Sequence, residues 1–114
     1  MQHDVRKSML DALNACLNIQ AFTVGQTLAT YQADIMRRSA VERQLEILGE
    51  AFKRIDDIDP SFRDRFPEAG RVIGARNRIA HGYDAVDDEV IWAAAQDNIP
   101  LLMTKLEACL GENQ

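Results

Sequence analysis

Residues 34–56 read DIMRRSAVERQLEILGEAFKRID, and within them Val41, Leu45, Leu48, Phe52 and Ile55 recur at intervals of 4, 3, 4 and 3. An α-helix turns once in about 3.6 residues, so this spacing lays five large apolar side chains along one seam. It predicts the clearest helix of the chain. It also predicts a bundle, because such a seam is buried most readily against other helices. The same spacing serves a core or a subunit interface equally well.

Toward the N-terminus, residues 4–22 place Met9, Leu13, Cys16, Leu17 and Gln20 on one helical stripe, with Asp4 as the N-cap. Gly25 breaks that pattern, and a short helical turn fits Thr27 to Tyr31. Beyond the seam, Asp59-Pro60-Ser61 reads as a turn, and Pro67 opens a helix that runs to Ala80 or His81 and is capped by Gly82. Asp87 or Asp88 opens a last helix toward Leu110, interrupted or kinked at Pro100 and ended by Gly111. No strand pattern competes. The expected fold is all-α, an up-and-down bundle of four to five helices forming one domain over residues 1–114.

Composition narrows the function. With 46% apolar and 27% charged residues in 114, the chain has ordinary globular make-up and enough length for one core. Its two cysteines, Cys16 and Cys109, are too few for a disulfide scaffold and suit a reducing compartment. The longest uncharged run, Ala12 to Ala33, contains Asn14, Asn18, Gln20, Gln26 and Gln32 and is too polar to cross a bilayer. With no secretory pattern in residues 1–11, the expected location is cytoplasmic, with no membrane contact. His3 and His81 are the only histidines, and no Glu-x-x-His pair, phosphate-binding glycine loop or Gly-x-Ser-x-Gly elbow occurs. Neither a metal nor a cofactor is expected.

The net charge of −5 counts against a general nucleic-acid coat. The charge is uneven. Residues 61–83 hold Arg63, Arg65, Arg71, Arg76 and Arg78 against Asp64 and Glu68, whereas residues 84–97 hold five acidic side chains and no basic one. Every cation of the one positive stretch is arginine, whose planar fork matches phosphate.

That stretch ends in RVIGARNRIAHGY, residues 71–83. Asn77 and His81, four apart, share a helix face. Arg76 and His81, five apart, point about 140° from one another on an ideal helix, so a shared site needs the arginine's reach and a departure from helix geometry near Gly82. Carbonyls at the helix end favour a protonated imidazole and raise the pKa of His81, which suits it to proton transfer near neutrality. Arg76 keeps its charge and suits a phosphate. The same residues also serve as a helix terminus, with the cations on its dipole and Gly82 as its cap.

The chain resembles a known family here. Arg76-x-x-x-x-His81-x-Tyr83 matches the Arg-x(4–6)-His-x-Tyr signature of the HepT-like ribonucleases, a branch of the HEPN superfamily. Arg38 to Ala51, RSAVERQLEILGEA, is similar to the family's helix ending in Ile-Gly-Glu-Ala. The spacing from Gly49-Glu50 to Arg76-Asn77, the acidic turn after Tyr83, Trp92 and the run DNIPLL over 97–102 agree with it. The likeness covers about residues 4–110. One departure is the stretch Phe66 to Arg71, where many relatives carry a tryptophan; a packing change is expected there.

The resemblance implies a HEPN-like homodimer and a metal-independent endoribonuclease, the toxin of a type VII toxin–antitoxin system. The two Arg–His motifs would face one another across a composite cleft. By position, Arg76 and His81 are the catalytic pair acting on RNA. Asn77 orients His81 or hydrogen-bonds phosphate. Arg78 tracks the RNA backbone or is a solvated surface residue. Glu50 pairs with Arg76 or Arg78, or is a plain surface glutamate. The partner implied is a cognate minimal nucleotidyltransferase antitoxin, which silences the toxin by AMPylation of Tyr83. A second reading keeps the fold and removes the chemistry: a non-catalytic HEPN-like dimer that binds a nucleotidyltransferase partner or a nucleotide. Arg76 and His81 divide the two, because a binding module needs no histidine there.

Overall fold

A computed structural model describes residues 3–80 and 88–111, the side chains of 75–80 excepted. The described residues form helices and turns, with no strand among them. In chain order they are α1 (His3–Thr23), α2 (Leu28–Ala33), α3 (Ile35–Ile58), α4 (Phe62–Arg65), α5 (Ala69–Ala80), α6 (Asp88–Ala93), a π-turn (Ala94–Asn98) and α7 (Ile99–Gly111). The four long shafts expected from the sequence are α1, α3, α5 and the continuous α6–π–α7 run.

The α3 seam faces the core. Val41, Leu45, Leu48, Phe52 and Ile55 are all buried, so its apolar face is already covered within one chain. Burying a side chain of this size contributes about 1.5–3 kcal/mol. Asp34 caps the helix, its Oδ1 accepting from the Arg37 backbone N–H at 3.1 Å. The Arg37 guanidinium in turn donates to the Phe22 carbonyl, fastening the start of α3 to the end of α1. Between them Gly25 takes a positive φ of 74°, a conformation open to glycine at little cost, and the chain reverses there. The turn of helix expected near Thr27 is α2, opened by a reciprocal Thr27–Thr30 capping box.

On α1 the buried face is rotated from the expected stripe. Met9 and Cys16 are buried, but Leu17 is 43% exposed, while Ala12, Ala15 and Ile19 line the core. Gln20 is exposed as well. α3 is the main neighbour of α1, and the small side chains of Ala12 and Ala15 take core positions that an apolar-stripe reading gives to larger ones. Asp4 stands inside the first turn of the helix instead of capping it. There it faces the positive end of the helix dipole.

The Pro60 turn is followed by a helix that the sequence reading lacks, α4, and α5 opens at Ala69 instead of Pro67. Phe62 and Phe66 are buried, their rings stacked at 4.2 Å, and both lie near Phe52. This phenylalanine cluster packs the Phe62–Phe66 segment onto α3. At the other end, the expected interruption near Pro100 takes the form of the π-turn, in which the Ile99 N–H donates to the Ala94 carbonyl five residues back. Proline lacks an N–H and its ring crowds the carbonyl four residues earlier, and the wider turn relieves both. Arg6 Nη1 donates to the Leu110 carbonyl at 3.2 Å, tying the start of α1 to the end of α7.

Candidate functional site

The motif begins on α5, and three contacts set that helix. Val72 is buried on its inner face, packed toward α3. Glu68 pairs with Lys105 of α7 at 2.8 Å, and Lys105 also donates to the Arg65 carbonyl at 3.4 Å. Burial would push the Glu68 carboxyl up, but the Lys105 hydrogen bond, a backbone N–H and the Lys105 charge together hold it below the usual carboxylate range. One turn on, Arg71 Nη1 donates to Asn98 Oδ1 of the π-turn at 3.3 Å. The helical backbone then carries Arg76, Asn77 and Arg78 through to Ala80. His81 and Tyr83 lie outside the described residues, as do the side chains of Arg76, Asn77 and Arg78.

The chain re-emerges at Asp88, the first residue of α6, against a half-buried charged cluster. Arg38 Nη1 of α3 lies 3.4 Å from Asp88 Oδ2. Burial and the Asp88 carboxylate push the Glu42 carboxyl above its usual range, and Arg38 pulls it back. Behind them Tyr31 is fully buried, its ring 5.4 Å from that of Trp92. Burial, then Glu42 and Asp88, push the Tyr31 phenol strongly up, so it stays neutral at any ordinary pH. The two exits of residues 81–87 are thus held by different partners: α5 by α3 and α7, and Asp88 by Arg38.

Glu50 is half-buried and lines an open groove of about 400 Å³ with Asp11, Asn14, Asn18, Arg43, Gln44 and Arg54 among its walls. That groove belongs to α1 and α3. Arg54 is engaged with Asp11 at 3.4 Å and Arg43 with Glu46 at 3.2 Å. Burial pushes the Cys16 thiol up to about 12, which leaves it unreactive at neutral pH. Among the described residues no group of three potential ligands could hold a metal ion, and no helix is long and apolar enough to cross a membrane.

Sequence reading passed over Arg38, Arg71, Asn98 and Lys105 as site neighbours. Each acts across 27 to 50 positions of chain. For Arg71 a signal was present, since it belongs to the positive stretch. For Arg38 the signal was its place at the head of the RSAVERQLEILGEA run.

The sequence profile of the family described as "Ribonuclease HepT-like" matches residues 12–109. The chain belongs to the HepT-like ribonuclease family. Within that family it is similar to "Probable ribonuclease HepT" of Thermococcus cleftensis, 30% identical over 109 residues, covering 94% of this chain and 96% of that one. It is also similar to "Putative RNase MJ1380" of Methanocaldococcus jannaschii, 29% identical over 108 residues, covering 93% and 96%. No solved structure matches the chain. This HepT-like chain therefore spans nearly the full length of both relatives, and its α3 and α5 fall wholly inside the profile match, with all but the last two residues of α7.

Proposed function

We propose that this protein is a metal-independent endoribonuclease, the toxin of a type VII toxin–antitoxin system acting in the cytoplasm as a homodimer. The observation that carries the reading is the complete Arg76-x-x-x-x-His81-x-Tyr83 motif in the sequence of a chain of the HepT-like family. The relatives' names, which call them ribonucleases, point the same way.

The residues suit the chemistry. RNA carries its own nucleophile, the 2′-hydroxyl, whose oxygen attacks the adjacent phosphorus while the 5′-oxygen leaves. His81 moves the proton, a role typically worth ~10²–10⁴-fold. Arg76 stabilises the extra negative charge of the phosphorane. A homodimer brings together two copies of His81, one for each proton transfer, where a single chain has one. Asn77 orients His81 or hydrogen-bonds phosphate, and Glu50 pairs with Arg76 or Arg78. Regulation falls on Tyr83. A nucleotidyltransferase antitoxin would direct the Tyr83 oxygen to the α-phosphorus of ATP, releasing pyrophosphate and leaving AMP two residues from His81. The added anion blocks the cleft and pairs with the arginines.

The test is cleavage of total RNA in EDTA by wild type, Arg76→Ala and His81→Ala, each checked for folding and for dimerisation. Cutting by wild type that both variants lose by about 10²-fold or more supports the reading. An unmodified, dimeric wild type that cuts nothing overturns it in favour of the non-catalytic binding module.

A further inference from the structure

Eight arginines have described side chains, and five of them lie within 4 Å of a carboxylate: Arg37, Arg38, Arg43, Arg54 and Arg63. Arg6, Arg65 and Arg71 do not meet one among the described residues, and Arg6 is taken up by the Leu110 carbonyl. Arg65 lies over the Phe62 ring, 5.7 Å from its centroid, and Arg71 is held by the neutral amide of Asn98. Both arginines are exposed. Their neighbour Glu68 is already neutralised by Lys105. Arg65 and Arg71 are therefore two exposed guanidinium groups with no carboxylate within 4 Å among the described residues, in a protein whose net charge is −5.

The register of α5 extends from Arg71 toward the motif. On α5, position 78 lies seven residues beyond Arg71, about 10 Å along the axis and within about 20° of the same face. Gly74 lies between them, exposed, with no atom within 4 Å of where a Cβ would stand, so the surface there is open.

We propose that Arg65 and Arg71 are phosphate-binding residues that guide the backbone of a single-stranded RNA along α5 toward the motif. Charge complementarity carries the choice of ligand: guanidinium groups that meet no carboxylate among the described residues fork onto phosphate oxygens, whereas a protein partner would have to supply matching carboxylates. Phe62 and Asn98 hold the two side chains without cancelling their charge. The inference deepens the ribonuclease reading and rests on it for the identity of the ligand.

The test uses a 2′-O-methyl RNA oligonucleotide, which lacks the nucleophile and is bound without being cut. Its affinity is followed by fluorescence anisotropy between 50 and 200 mM salt for wild type, Arg65→Ala/Arg71→Ala, and the control Arg43→Ala/Arg63→Ala, which removes two carboxylate-paired cations. Each single-strand phosphate contact contributes about 0.7 to the salt slope, so losing two lowers the slope by about 1.4. Over that range wild type then loses about sevenfold more affinity than the double variant, and the control follows wild type. With cleavable RNA, KM rises and kcat holds. An unchanged slope overturns the proposal, as does a variant that alters only oligomeric state, which would assign the face to contact between copies of the chain. The two readings separate cleanly. A lowered slope in a protein that cuts nothing keeps the phosphate track and removes the ribonuclease. Cutting that depends on Arg76, with an unmoved slope, does the reverse.

Discussion

Arg38 Nη1 and Asp88 Oδ2 stand 3.4 Å apart, joining the N-terminal third of α3 to the first residue of α6. Their side chains are 29% and 25% exposed, between a surface pair and a buried one. Asp88 also sits in the first turn of α6, where its charge meets the helix dipole. We expect Arg38→Asp to lower stability by about 1 kcal/mol and Asp88→Arg added to it to recover part of the loss. A double-mutant cycle by urea denaturation measures the coupling. Additive losses would mean the pair does not act as a pair.

The Tyr31 hydroxyl is buried with no hydrogen-bond partner among the described residues. Its burial carries a desolvation cost that no bond offsets. Tyr31→Phe keeps the ring against Trp92 and removes the cost. Stability should rise by about 1 kcal/mol, with the midpoint of thermal unfolding moving up by about 4 °C. A loss of that size would reveal a partner for the hydroxyl.

Glu42 and Glu68 should pull stability in opposite directions as pH changes. The Glu42 pKa is raised in the folded protein, so its folded state resists ionisation. Stability falls as pH climbs through the window above the ordinary value of 4.5. Glu42→Gln should therefore gain thermal stability over wild type from pH 4 to pH 7. The Glu68 pKa is lowered, so its contribution is present above 4.5 and is lost as pH falls through the folded value. Glu68→Gln should be the weaker protein at pH 7 and equal to wild type in acid. Parallel pH profiles for the two variants would contradict both assignments.

Gly74 lies inside α5 with open space around it. A glycine in a helix costs about 0.5–1 kcal/mol relative to alanine, and nothing here requires it. Gly74→Ala should stabilise the protein by that amount in chemical denaturation. A loss would point to a contact outside the described residues.

The bundle was legible wherever large apolar side chains carried the period. The five seam residues of α3 gave a helix, its buried face and the presence of partners, and all five are in the core. On α1 the same logic misplaced Leu17 and Gln20. Ala12 and Ala15 take part of the buried face there, and such small residues give little hydrophobic signal of their own. The four residues of α4 escaped because one turn is too short to show a period. Within the site, the motif was legible as a string of residue types along one helix. The contacts that hold α5 and Asp88 were not, because Arg71–Asn98 and Arg38–Asp88 pair across 27 and 50 positions and exist only once the helices are stacked.

The bond from Arg6 to the Leu110 carbonyl has a bearing on synthesis. Residues 104 apart must meet before α1 and α7 can close on one another. At about 5–20 residues per second, a ribosome takes roughly 5–20 s to travel that distance. Throughout that interval the first helix lacks the cover of the last, and the nascent chain carries a bare apolar flank. This part of the fold is therefore completed only after α7 has been made and comes to rest against α1.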